Sequence, residues 1–149
     1  MATIAPPQTP LTAHWATWMW LLAVGAGVAE TVVGAIDAIH DGISLPALAA
    51  QLAIRTLVYG GLFVTIDRDF RHGVPWSRYL LAGLLGTVGL ASLIYQPITW
   101  LTDNDLTALP WSAQFLISAT LRAVHLSALL AALALSFHPD TNRWVRHRG

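Results

Sequence analysis

Four apolar stretches dominate the chain, over 15–38, 46–66, 76–96 and 111–137. A helix rises 1.5 Å per residue, so about 20 apolar residues cross a hydrocarbon core of about 30 Å. Charge is scarce around them. Asp, Glu, Lys and Arg make up 11% of the chain, against about 25% in a soluble domain. Such a composition does not cover a water-facing surface. The expected fold class is all-α, a four-transmembrane-helix bundle, multi-pass in the cell membrane. The expected organisation is a disordered N-terminal tail over 1–14, a transmembrane domain over 15–138 and a basic cytoplasmic tail over 139–149.

Local signals agree with four helices. Pro46, Pro75 and Pro110 stand at or just before first turns, where a missing N–H costs nothing. Ser44 and Thr107 are candidate caps. Thr102 and Asp105 have the spacing of a capping box for a short interfacial helix. Pro6, Pro7 and Pro10 argue against helix in the tail. The seven Trp fall near span ends, as in the aromatic belt at the headgroup level.

All basic residues are Arg, and their distribution predicts orientation. Arg68, Arg71 and Arg78 lie between spans two and three, and Arg143, Arg146 and Arg148 follow span four. The other two connections carry Asp41, Asp103 and Asp105 instead. The positive-inside rule then puts both termini in the cytoplasm of an inner-membrane protein.

Arg55 and Arg122 remain, inside spans two and four, with Glu30 inside span one. A mid-bilayer charge costs on the order of 3 kcal/mol, so these groups need partners. Counted from the outer surface, Glu30 lies ~12 Å deep, Arg55 ~13 Å and Arg122 ~16 Å. One layer therefore holds all three, and Glu30 is expected to pair with Arg55, with Arg122 sharing it. Helical spacing groups Ala23, Gly27, Glu30, Gly34 and Asp37 on one stripe of small and acidic residues, the pattern of a close helix seam. Gln51, Arg55 and Tyr59 repeat on span two, and Ser118, Arg122 and His125 align on span four. The candidate polar cluster is thus Glu30, Arg55, Arg122, His125, Gln51, Tyr59 and Asp37.

Other chemistry is sparse. Cys is absent, which removes disulfides and thiolate chemistry. No GxSxG, HExxH or Walker motif occurs, so the chain is read as no enzyme. His125 has no second His at its depth to share a haem, and 102–106 lacks the length and distal Glu of a calcium loop. No cofactor or metal is expected. Net charge is zero, so nothing points to nucleic acid; the expected partners are the lipid bilayer and another membrane protein or a second copy.

Two resemblances add to this reading. The segment "DFRHGVPWSRYLLAGLLGTVGLASL" resembles the R-x-G-x-x-W-A-R turn of small, uncharacterised actinobacterial four-span membrane proteins. Arg71, Gly73, Trp76 and Arg78 match it, with Ser77 where Ala is usual. The ending "LALSFHPDTNRWVRHRG" is similar to that group's ending through Pro139, Asn142, Trp144 and Arg146. This likeness implies a topology and no activity. Separately, "GVAETVVG" is similar to the first helix of small multidrug resistance transporters, whose Ala-Glu pair places a proton- and cation-binding carboxylate; Glu30 matches it. Those chains are shorter and their pockets hold no arginine, so Arg55 and Arg122 depart from the pattern. The leading expectation is a non-enzymatic accessory or interaction subunit, and the alternative is a small proton-coupled transporter using Glu30.

Overall fold

The computed structural model describes residues 8–105, 107 and 109–147. Among them five helices and no strand occur. Four are long and apolar enough to cross a membrane: α1 (Leu11–His40), α2 (Leu45–Phe70), α3 (Pro75–Asp103) and α4 (Ala113–Ser136). A fifth, α5 (Pro139–Arg146), is short. The chain runs up and down, so one end of the bundle carries Leu11, the 71–74 turn and α5. We call it the basic end, after Arg68, Arg71, Arg143 and Arg146. The other, acidic end carries the 41–44 and 104–112 connections.

The helices begin where the sequence permits. Pro46 and Pro75 occupy first turns of α2 and α3. Ser44 stands at the N-cap of α2 without a side-chain bond. At α4 the cap is Ser112, whose Oγ accepts from Phe115 N at 3.1 Å, and not Thr107. Thr102 lies inside α3 and donates to Thr99 O at 2.7 Å, so the expected capping box with Asp105 does not form. Gly42 ends α1 at φ 76°. Ile43 N and Gly42 N donate to Ala38 O and Ile39 O there, a turn that needs a left-handed residue.

Two expectations about the ends are corrected. Residues 11–14 of the expected N-terminal tail are helical, because Pro10 stands at the N-cap, just ahead of the first helical residue, and costs the helix no bond; residues 1–7 lie outside the described set. Most of the expected C-terminal tail is α5, whose Thr141, Trp144 and Val145 are buried. Their i, i+3, i+4 spacing makes one stripe. Trp144 and Val145 form a small core with Ala13 of α1. Thr141 Oγ1 meets Thr12 Oγ1 at 2.9 Å and Leu135 O at 2.9 Å.

The main core sits in the basic half. Ala16, Trp20, Ala23 and Val24 of α1 pack with Leu62, Ile66 and Phe70 of α2, Leu81 and Leu85 of α3, and Ala128, Leu129 and Ala132 of α4. The principal seam, α1 on α4, has alanines on both sides. Small residues let backbones approach, which is how helices gain packing energy in lipid. Trp20 is fully buried and its Nε1 donates to Ser136 Oγ at 2.9 Å. Trp20 and Trp144 are therefore core residues rather than members of an aromatic belt, whereas Trp15, Trp18, Trp76 and Trp111 are exposed.

Candidate functional site

In the acidic half the helices hold polar side chains in place of apolar ones. Glu30 of α1, Arg55 of α2 and Arg122 of α4 each lie about ten residues from the acidic end of their helix, roughly 15 Å in. The shared layer is therefore present. The expected pairing is not. Glu30 Oε1 lies 3.4 Å from His125 Nδ1, and no salt bridge joins Glu30 to Arg55 or Arg122 among the described residues.

The reason is angular. Successive residues of a helix point about 100° apart. Thr31, next to Glu30, faces α2 and accepts from Arg55 Nη1 at 3.1 Å. Glu30 faces α4. Arg122 turns the other way and donates to Gln96 Oε1 of α3 at 2.9 Å. Three separate contacts thus stitch the helices in the spatial order α2, α1, α4, α3. A fourth, Gln114 Nε2 donating to Asp37 Oδ1, repeats the α1–α4 stitch nearer the acidic end.

The remaining predicted residues divide. Tyr59 packs its ring against Gly27, where an added Cβ would lie 2.6 Å from the phenol oxygen; the small-residue stripe serves this close approach. Gln51 lies on the exposed face of α2 and does not join the cluster. His125 does, more deeply than its spacing implied: its side chain is 6% exposed, against 19% for Glu30. Among the described residues neither ring nitrogen of His125 has a hydrogen-bond partner, nor has Glu30 Oε1 or Arg122 Nε. An unpartnered buried polar group costs about 1–3 kcal/mol, so this layer is held at some expense.

Beside it, between α1, α3 and α4, lies a cavity of about 960 Å³. Glu30 and Arg122 line it, with Asp37, Asp41 and Asp103 toward the acidic end and Trp100 and Phe115 among the apolar walls. Arg55 and His125 do not line it. No group of three His, Cys, Asp or Glu among the described residues is placed to hold a metal ion.

A second polar knot lies at the basic end. Arg78 is 7% exposed. Its guanidinium donates to Asn142 Oδ1 and, at 3.0 Å, to the Tyr79 hydroxyl. Its Cζ stands 4.8 Å from the Tyr79 ring centroid and 5.7 Å from that of Phe137. Gly73, at φ 77°, sits under Trp144, where a Cβ would come within 3.0 Å of the indole. The two quoted segments, around Gly73–Arg78 and Asn142–Trp144, thus meet in space. The linear distribution of Arg does not join them; the buried stripe of α5 is the signal that does. Comparison with family models, with curated proteins and with solved structures finds no match for this chain.

Proposed function

We propose that this is a small, non-enzymatic inner-membrane subunit with both termini in the cytoplasm, which assembles through its transmembrane helices with another membrane protein or a second copy. The observation that carries this reading is Arg55. It lies well inside an apolar helix, on an exposed face, and its one side-chain hydrogen bond among the described residues is to the neutral Thr31 hydroxyl. A lipid-facing guanidinium at this depth is costly, and a carboxylate or carbonyl from a neighbouring helix would relieve it. The Arg distribution supports the orientation.

The test is stoichiometry in mild detergent. The intact protein is expected to run as a defined assembly, and Arg55→Gln to release the single chain. A single chain from the start, unchanged by Arg55→Gln, would remove this reading.

A second reading, a small proton-coupled transporter, is favoured by one observation: Glu30 lines a cavity and its Oε1 stands 3.4 Å from His125 Nδ1. In weakly buffered detergent, adding a lipophilic cation would then release protons from the intact protein and not from Glu30→Gln. No Glu30-dependent release leaves the subunit reading in place.

A further inference from the structure

Glu30 and Arg122 line the same cavity with opposite charges, yet no salt bridge joins them. Each is held back by another helix. Gln96 Oε1 holds one terminal nitrogen of Arg122, and His125 stands behind Glu30. Two unlike charges kept apart across a cavity can each take a group of opposite sign from one molecule.

We infer that the cavity binds a small zwitterion with an apolar body. Its anionic group meets Arg122, whose planar fork suits a carboxylate. Its ammonium meets Glu30. Asp37 already accepts from Gln114 and serves as a wall of negative potential. Trp100 and Phe115 supply the apolar surface that such pockets use for most of their contact area.

Alternative ligands fit less well. A metal ion finds no cluster of ligating groups among the described residues. A simple anion would face Glu30 and three aspartates, and a simple organic cation would meet the Arg122 guanidinium at the same level. Only a molecule carrying both charges satisfies both ends. This inference stands apart from the subunit reading, since Arg55 does not line the cavity.

Calorimetry on the full chain in a neutral maltoside detergent tests it. The probes are phenylalanine, 2-phenylethylamine and 3-phenylpropionate, one ring with both charges or either alone. Phenylalanine is expected to bind saturably and at least tenfold tighter than either analogue. In Arg122→Gln that preference over phenylethylamine should disappear. Equal binding of phenylethylamine, or no saturable binding of any probe, overturns the inference. The comparison of three probes on the unaltered chain decides the matter even if Arg122→Gln fails to fold.

Discussion

The two halves of this bundle are built by different rules. In the basic half, α1 turns a stripe of Ala16, Trp20, Ala23 and Val24 into three other helices, and those helices answer with apolar side chains. In the acidic half, the same helix presents Glu30, Thr31 and Asp37, and is answered by His125, Arg55 and Gln114. One half gains its stability from contact area. The other is joined by single polar contacts around a cavity. The lesson is that one apolar helix can be a packed post at one end and the wall of a polar layer at the other.

This contrast can be broken by experiment, with the largest effect in the packed half. We predict that Trp20→Ala costs about 3–5 kcal/mol, the range for deleting a buried large aromatic. It also strands the Ser136 hydroxyl. The matched change in the acidic half, Phe115→Ala, should cost much less, because Phe115 faces the cavity. Thermal or denaturant unfolding in detergent measures both, and equal losses would erase the distinction.

Next in size are two glycines of nearly equal φ. A side chain at φ above zero costs on the order of 1–2 kcal/mol. Gly42→Ala, in open space at the acidic end, should show that cost alone. Gly73→Ala must also displace the Trp144 indole, so its loss should be clearly larger by the same melting measurement.

A smaller effect, and a more diagnostic one, concerns the polar layer. Residues in contact couple by about 0.5–3 kcal/mol in a double-mutant cycle. Glu30→Gln with His125→Gln should show such coupling. Glu30→Gln with Arg55→Gln should be additive, since their side chains face different neighbours. Coupling in the second cycle and none in the first would reverse the stitching order described for the layer.

The smallest effect belongs to the rim of the cavity. Asp103 makes no ion pair among the described residues and is exposed, and exposed charges away from such features usually change stability by less than about 0.5 kcal/mol. Asp103→Asn is expected to melt with the unaltered protein; a marked shift would mean that the acidic half is more tightly built than its contacts imply.

How much of this was legible beforehand follows from the physics of each signal. The four long helices were, because hydropathy summed over about twenty residues averages out local errors. The common level of Glu30, Arg55 and Arg122 along the bundle was legible as well, since helical rise is regular. Their pairing was not. It depends on which way each side chain points around its helix, and shifting one position from Glu30 to Thr31 turns the direction by about 100°. Depth is a one-dimensional quantity, whereas contact needs the arrangement of neighbours. The α5 helix was hidden for another reason. Its charged residues dominated its composition, while three residues in a stripe, Thr141, Trp144 and Val145, carried its packing. Trp20 was misread because belt and core Trp differ in surroundings, not in distance along the chain.

The contact between Thr12 and Thr141 has a consequence for the order of assembly. A chain entering the membrane during synthesis delivers α1 first and α5 after all the long helices. Until α5 emerges, Ala13 has neither Trp144 nor Val145 to cover it, and Gly73 has no indole above it. The basic half can therefore align its helices early but cannot close. Sealing α1 therefore waits until α5 has been made, and a chain stalled before α5 would leave the Ala13 surface open to whatever else is being inserted nearby.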